Sequence, residues 1–310
     1  MSLCIVTKFK NERHIMYEWV HHYLLEGVDC IIMIDDHSDD NYRQLNNWLE
    51  SLIKQKKIQI FKSVTDSQVG DYNHYLNKIR KYHWVIYCDM DEFFFAVPVK
   101  MNLKKMLNTH FSKYDYIKVM WKLFTHTCKY QPKSVINNGM LTHKGTLTSK
   151  NSSKSGGIKC IAQTKYLKYV DIHYLEFDES HSRKILKKKL YNWHNPLIQI
   201  NHYRTQSDEY LYGVKEIRGG GINKDKYKGF KRHLDPNFNF KCNILRRKRK
   251  VLIKTILNRP QVKPRIYPES SFYKLTQSRK SSSQKKKSNT NKNPLKKTSK
   301  RKKLNLGLVS

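Results

Sequence analysis

An apolar segment that runs directly into three acidic residues is the feature that most constrains this chain. Trp84 to Cys88 are bulky and mostly β-favouring, so we predict a short buried strand there. Asp89, Asp91 and Glu92 follow at once. A central strand does not hold unpaired acids along its buried length, because removing a charge from water is costly. The strand must therefore end at a rim of the sheet.

The spacing of these acids is compatible with a metal site. Asp89 and Asp91 are two residues apart, so they point the same way on extended backbone, and a local turn could also converge them on one ion. Paired carboxylates suit a hard cation such as Mg²⁺ or Mn²⁺ and leave positions for water and phosphate oxygens. The segment favours metal-assisted chemistry on a phosphate-bearing donor. An ordinary acidic turn after a strand is the alternative.

The first part of the chain alternates strands and helices. We predict strands over 3–6, 30–34 and 58–61, and helices over 11–25, 42–54 and 68–80. Asn11 is the predicted cap of the first helix. The connections are short enough for right-handed crossovers, which predicts an α/β fold with a mostly parallel sheet flanked by helices.

Polar residues gather at the predicted carboxyl ends of three strands, where α/β sheets bind ligands. These are Thr7 to Asn11, Asp35, and Asp89 to Asp91. No GxGxxG or Walker loop follows the first strand, which argues against a dinucleotide-binding or P-loop enzyme. If a phosphate-bearing donor binds here, we expect a metal to hold it rather than a glycine-rich loop.

Further along, the pattern predicts a helix over 102–108 and strands over 116–123, 156–161 and 197–200. His202 follows the last of these strands, where a lone histidine is more often structural than functional. Ser207 and Glu209 lie at a probable helix start. Arg218 precedes three glycines and could contact a phosphate or belong to an ordinary turn.

The basic residues are concentrated at the C-terminal end. Of a formal net charge of +36, residues 241–310 supply 23 lysines and arginines against a single acid, Glu269. We predict a basic helical extension over 241–275 and a disordered Lys/Ser/Asn-rich tail over 276–310. Such a tail is usually solvated, and the alternatives are an anionic membrane surface, a nucleic acid or a nuclear import signal.

The six cysteines are widely spaced, without a CxxC pair, which predicts neither a disulfide framework nor a zinc site. No apolar run approaches the roughly 20 residues of a membrane span. We also expect no signal peptide, since the first strand begins at Leu3. These observations predict a cytoplasmic protein, with peripheral membrane attachment as a further option.

Seven motifs, in order, resemble those of family 92-like glycosyltransferases, which belong to the GT-A superfamily and are similar to the family 2 group. They are Lys10–Glu12, Asp35–Asp40, Gln68 with Tyr72–Asn73, Tyr87–Phe93, Trp121–Phe124, Gly157–Lys159 with His173, and Asn201–Ser207 with Glu209, Arg218 and Gly219. The resemblance covers about residues 3–222. It implies a Rossmann-like GT-A domain over 1–240, with a nucleotide-sugar half to about residue 95 and an acceptor half after it.

The resemblance implies transfer of a sugar, with inversion, from a nucleotide-diphosphate sugar to an acceptor hydroxyl on a glycan or protein. A UDP-sugar is favoured. Asp89 and Asp91 match the DxD motif that holds Mn²⁺ or Mg²⁺ on the donor diphosphate, and His202 is expected to complete the metal site or to contact the diphosphate. Glu209 and Glu92 are the candidate catalytic bases, with Glu209 ranked first.

The same resemblance implies the donor contacts. Asp35 would contact the nucleoside, and Thr7 and Glu12 would lie beside the base or ribose. The full set of expected donor-binding residues is Thr7, Asn11, Glu12, Asp35, Gln68, Asp89 and Arg218. Residues 124–127 depart from the glycine- and serine-rich loop usual in the family, which leaves the acceptor open.

Three other functions compete with this one. A metal-dependent nucleotidyltransferase would also use paired carboxylates, but usually has a Gly/Lys-rich triphosphate loop that Lys8 and Lys10 alone do not make. A nucleic-acid-binding or anionic-surface-binding protein would explain the charged tail and not the acids at three strand ends. An inactive relative would keep the fold without turnover.

Overall fold

The computed structural model describes residues 1–45, 47–126, 128–138, 141–142, 157–178, 196–218 and 240–278. Of the tail predicted to be disordered, 276–310, only residues 276–278 are described; residues 279–310 and the glycines after Arg218 lie outside these ranges.

Twelve strands lie in the described part of the chain. They are β1 (Leu3–Phe9), β2 (Cys30–Asp35), β3 (Ile58–Lys62), β4 (Trp84–Tyr87), β5 (Glu92–Ala96), β6 (Tyr116–Thr125), β7 (Leu141–Thr142), β8 (Ile158–Gln163), β9 (Leu167–Val170), β10 (Leu175–Phe177), β11 (Ile198–His202) and β12 (Phe240–Lys241).

The α-helices alternate with the strands in the first part of the chain and are short in the second. They are α1 (Arg13–Leu25), α2 (Asn47–Lys54), α3 (Gln68–His74), α4 (Leu76–Ile79), α5 (Leu103–His110), α6 (Val135–Asn138), α7 (Asp208–Tyr210), α8 (Glu216–Arg218), α9 (Ile244–Lys248) and α10 (Lys250–Leu257). A 3-10 turn (Tyr42–Leu45) precedes α2, and a π-helical segment (Leu211–Lys215) joins α7 to α8.

The main sheet has the strand order β12-β7-β6-β8-β4-β1-β2-β3. Strands β4, β1, β2 and β3 are parallel, whereas β8 is antiparallel to both β4 and β6. Off this path, β11 pairs parallel with β6 and antiparallel with β5. The predicted α/β class, a mostly parallel sheet flanked by helices, is confirmed, and its parallel strands bring Asp35 and Asp89 to the same rim.

Helix α1 packs in the core and also fixes the turn between β4 and β5 that carries Asp89 and Asp91, which we term the rim turn. Trp19 and Tyr23 are fully buried against the sheet. The indole Nε1 of Trp19 donates to the backbone oxygens of Asp89 (3.2 Å) and Glu92 (3.1 Å), and the Tyr23 hydroxyl donates to the Glu92 oxygen at 2.8 Å. Buried carbonyls need such partners, so these side chains fix the backbone that carries the acids.

The acids lie in a turn between two strands, and the second of these, β5, was not predicted. β5 begins at Glu92 and pairs antiparallel with β11, which sets Glu92 opposite His202. The sequence concealed it because an acid opens the strand and its partner lies about a hundred residues away. Because β4 is paired up to Tyr87 and β5 is paired from Glu92, Asp89 and Asp91 lie in a short turn between two paired strands.

The predicted cap of α1 was wrong. The helix begins at Arg13 with Glu12 at the N-cap and no side-chain cap. Asn11 adopts a left-handed φ of 56°, which asparagine tolerates better than most residues. Its Oδ1 accepts from the Asp39 amide at 2.9 Å and its Nδ2 donates to the Tyr267 hydroxyl at 2.8 Å. Asn11 thus organises the loop after β2.

Two other predicted helices are interrupted. The helix expected over 68–80 is divided into α3 and α4 at Tyr75, and the one expected over 42–54 consists of the 3-10 turn and α2. The apolar spacing of these segments was interpreted correctly, but spacing alone does not reveal a local break in hydrogen bonding.

Residues 260–278, which we term the C-terminal strap, cross the rim loops. The strap begins just after α10, and residues 271–278 are helical. Arg265 pairs with Asp39 at 2.7 Å, and the Tyr267 amide donates to the Gly213 oxygen at 3.0 Å. Ile266 lies so close to Gly213 that a Cβ there would meet its Cδ1 at 2.6 Å. The strap is therefore packed into the body.

The six cysteines are all free thiols. Within the described ranges, no helix has both the length and the apolar character to cross a membrane.

Two truncations separate the strap from the tail. A chain ending at 278 should keep the wild-type free energy of unfolding and lose any salt-sensitive affinity for nucleic acid or anionic vesicles. In a chain ending at 259, the free energy of unfolding should fall by about 3 kcal/mol, because the buried side chain of Phe272 and its packing contacts are also removed. Urea unfolding and binding at two salt concentrations measure both effects. Equal stability of the two truncated chains would show that the strap contributes nothing.

Candidate active site

Asp89 lies at the start of the rim turn and is the most open of the three acids. Its carboxylate accepts from Gln68 Nε2 at 2.7 Å and lies 3.2 Å from Lys159 Nζ. The side chain remains 39% exposed. Burial opposes ionisation of Asp89, but the charge of Lys159 and the bond from Gln68 together hold its pKa below the usual value. Asp89 is therefore an anion within reach of solvent.

Asp91 is held between a lysine and a histidine. Lys215 Nζ lies 2.5 Å from its Oδ2, and His202 Nε2 lies 3.3 Å from its Oδ1. Oδ1 has no hydrogen-bond partner in the part of the chain that the structure describes. Burial raises the pKa of Asp91, and Lys215 and His202 more than offset it, so the pKa lies well below the usual value.

Glu92 is fully buried beneath the two aspartates. Its Oε2 accepts from the Asp89 amide at 2.9 Å and lies 3.3 Å from Lys159. Burial raises its pKa well above the usual value, against the opposing charge of Lys159. The carboxyl group thus supports the turn from inside the protein.

Sequence reasoning missed both lysines as site residues. Lys159 is on β8 and only 1% exposed, and it joins Asp89 to Glu92. Lys215 is on the π-helical segment and reaches Asp91. A lysine is normally solvated, and two signals pointed to Lys159: its place in the motif Gly157–Lys159 and its position inside the apolar segment 158–162.

His202 ends β11, and its ring packs edge-on against Trp121 with centroids 4.5 Å apart. Burial lowers its pKa, although the charge of Asp91 opposes the shift. Burial thus favours the neutral imidazole, which is the form that can bind a metal.

Glu209 lies in α7 and is only 5% exposed. Ser207 caps this helix by accepting from the Tyr210 amide at 3.0 Å. One oxygen of Glu209 accepts from the Gln131 amide at 2.8 Å. The neighbouring Asp208 pairs with His126 at 2.9 Å, a contact that sequence reasoning missed because the two residues are 82 apart in the chain.

Two of the predicted donor-binding residues are bound to each other. Arg218 donates to Glu12 Oε1 and to the backbone oxygen of Lys10, both at 2.6 Å. The Tyr210 hydroxyl also donates to Glu12, at 2.8 Å. Thr7 is buried within β1. Arg218 therefore anchors the loop after β1 instead of extending freely from the rim.

Asp35 also makes contacts within the protein. Its carboxylate accepts from the Ser38 amide (2.8 Å), the Tyr42 hydroxyl (3.0 Å) and Lys62 Nζ (2.8 Å). Burial opposes ionisation, yet these donors hold the pKa of Asp35 below its usual value. Asp35 orders the loop after β2, and Asn11 ties that loop to the loop after β1.

The predicted site residues form two adjoining groups. The first contains Asp89, Asp91, Glu92, His202 and Gln68, and the second contains Glu12 and Arg218. Lys215 and Tyr210 connect them, with the Lys215 ammonium 5.4 Å from the centre of the Tyr210 ring.

In the observed arrangement, two side chains, Asp91 and His202, are placed to bind one divalent cation. Asp91 Oδ1 and His202 Nε2 lie 3.3 Å apart, which suits adjacent positions on one ion, and Oδ1 has no hydrogen bond. The Asp89 oxygens instead face Gln68 and Lys159. The described residues contain no group of three or more His, Cys, Asp or Glu side chains that could hold a metal.

A sequence profile of glycosyltransferase family 92 matches residues 1–259. The chain belongs to glycosyltransferase family 92. The predicted enzyme class, a glycosyltransferase, is thereby confirmed at the level of the family. The strap begins where the matched region ends.

Solved structures resemble part of this fold. The chain is 16% identical to Staphylococcus aureus TarS (residues 1–349), covering 53% of this chain and 47% of that one with a TM-score of 0.32. The chain is 12% identical to HddC from Yersinia pseudotuberculosis, and the match covers 60% of this chain and 88% of HddC with a TM-score of 0.33. The match thus spans about half the length of the TarS fragment. No curated protein matches the chain.

The buried lysine under the rim turn gives a stability prediction. Lys159→Met should lower the free energy of unfolding by about 3 kcal/mol, because Glu92 loses its cation in a fully buried position. Adding Glu92→Gln should recover most of the loss, since the amide needs no counter-charge.

Lys104→Met is the matched control for Lys159→Met. It removes a half-exposed pair with Asp29 and should cost no more than about 1 kcal/mol. Urea unfolding of the four chains provides the comparison. No recovery in the double variant would mean that the cost of Lys159→Met comes from packing rather than charge.

Proposed function

We propose that this protein transfers a sugar from a nucleotide-diphosphate sugar, with a UDP-sugar favoured, to a hydroxyl of a glycan or protein, with inversion at the anomeric carbon. The observation that carries the proposal is the group of charged side chains at the β4–β5 turn. Asp91, His202 and Lys215 meet there, beside the more open Asp89. The family match to 1–259 supports the reaction class.

Asp91 and His202 are the residues that would hold a Mn²⁺ or Mg²⁺ ion in this proposal. When bound, such an ion supplies Lewis-acid stabilisation of the charge that develops on the departing diphosphate. Asp89 would join them only if it left Lys159 and Gln68. We keep it as the third proposed ligand, since its carboxylate is the most exposed of the group.

The donor would lie across the rim, between the loops after β1 and β2. Asp35 and Asn11 hold those loops, and Glu12 with Arg218 closes their far side. Gln68 and Thr7 would border the nucleoside. Loops that are ordered before the donor arrives reduce the entropy cost of binding it.

The acceptor proton needs a base, and we assign that role to Glu209. The acceptor oxygen attacks the anomeric carbon, its proton passes to the Glu209 carboxylate, and the bond from that carbon to the diphosphate oxygen breaks. Glu92 is the less suitable alternative, because it is fully buried beneath the turn and binds the Asp89 amide.

A thermal-shift panel tests the donor site. Nucleoside diphosphates and nucleotide-sugars, with and without Mn²⁺, should raise the melting temperature of the wild type for one nucleotide only, by mass action on the folded state. Asp91→Asn should abolish the shift that depends on Mn²⁺. If the folded wild type shows no shift with any nucleotide, the proposed donor site is wrong.

The base assignment has its own test. Glu209→Gln keeps an acceptor for the Gln131 amide and should lower kcat by about 10²- to 10⁴-fold, with the donor-dependent thermal shift retained. Glu216→Gln is the matched control. It lies on the same helical stretch, where Glu216 accepts from Ser271, and should leave kcat unchanged. A loss confined to Glu92→Gln would reverse the assignment.

A further inference from the structure

The cation in contact with Asp91 is supplied by the protein itself. Lys215 Nζ lies 2.5 Å from Asp91 Oδ2, and each of the two side chains is only 7% exposed. His202 faces the other oxygen. The ammonium group thus neutralises the carboxylate that we propose as a metal ligand.

The position of Lys215 is built into the fold. It ends the π-helical segment Leu211–Lys215, and π-helical turns inside longer helices are frequent at functional sites. The strap holds this segment at two points, through the Gly213 oxygen (3.0 Å) and through Glu216, which accepts from the Ser271 hydroxyl at 2.6 Å. The side chain of an exposed lysine populates many rotamers, whereas the buried side chain of Lys215 is held in contact with Asp91.

We propose that Lys215 guards Asp91, so that a divalent cation binds there only together with the donor diphosphate. This inference rests on the proposed function. With Lys215 on Asp91, a dication placed on the same carboxylate meets a positive charge in a buried setting where screening is weak. A diphosphate offers the ammonium group other anionic oxygens, and Lys215 moves to them.

The exchange has a consequence for binding order. Because Lys215 must leave Asp91 before the carboxylate is available to a cation, the nucleotide and the cation increase each other's affinity. This coupling is reciprocal by thermodynamic necessity. A cation that binds the diphosphate directly also produces such coupling, so the role of Lys215 is tested by removing it. If Lys215 were purely structural, its removal would leave the Mn²⁺ affinity without nucleotide unchanged.

Mn²⁺ binding in the absence of nucleotide, measured by electron paramagnetic resonance of free Mn²⁺, tests the proposal without using activity. Lys215→Met should bind Mn²⁺ about tenfold or more tightly than the wild type, because one positive charge has left the site. Lys215→Arg keeps the charge and should behave as the wild type.

Lys248→Met is the matched control. Lys248 is 5% exposed and lies 3.3 Å from the buried Glu26, far from the rim turn. This variant loses a comparable buried pair and should show wild-type Mn²⁺ affinity. Equal Mn²⁺ affinities for Lys215→Met and the wild type would overturn the guarding role.

If Lys215→Met fails to fold, the wild type can still overturn the proposal. Its Mn²⁺ affinity without nucleotide should be weak and should rise at least about tenfold when UDP or the nucleoside diphosphate identified by the thermal-shift panel is added. Equal affinity in both conditions, with nucleotide binding itself demonstrated, overturns the guarding role and leaves the proposed function standing. Absence of any nucleotide binding would contradict the proposed function first.

Discussion

The pairing of three acidic side chains with two buried lysines is the constraint on which the rim turn depends. Asp89, Asp91 and Glu92 are adjacent in sequence, and leaving such acids uncompensated in a buried turn would cost several kcal/mol. Lys159 comes from β8 and Lys215 from the segment after α7. The first half of the chain therefore holds the acids, and the second half stabilises them.

The strand-helix alternation and the location of the rim could be predicted from sequence because both depend on local pattern. Strand β1 runs beside β2 and β4 in parallel, so polar residues that follow separate strands meet at one edge. Strand β5 depends on pairing with β11, which no local pattern contains. Its apolar residues 93–95 indicate burial, but not the partner.

The contacts inside the site were less predictable, because they join residues far apart in the chain. Arg218 and Glu12 are 206 residues apart, and Lys215 and Asp91 are 124 apart. Asparagine is a residue type typical of helix caps, yet Asn11 has a left-handed backbone conformation and its side chain accepts a hydrogen bond from the loop after β2. The sequence indicated which polar residues lie at the ends of strands, but only the fold determines which of them pair.

The strap connects the two sides of the proposed donor site. Tyr267 accepts a hydrogen bond from Asn11 through its hydroxyl, while its own amide donates to Gly213. One residue beyond the family match thus contacts both the loop after β1, through Asn11, and the segment that carries Lys215. Tyr267 thus fixes the backbone of that segment relative to the loop after β1. Because packed contacts of this kind have few alternative arrangements, the exchange proposed for Lys215 is confined to its side chain.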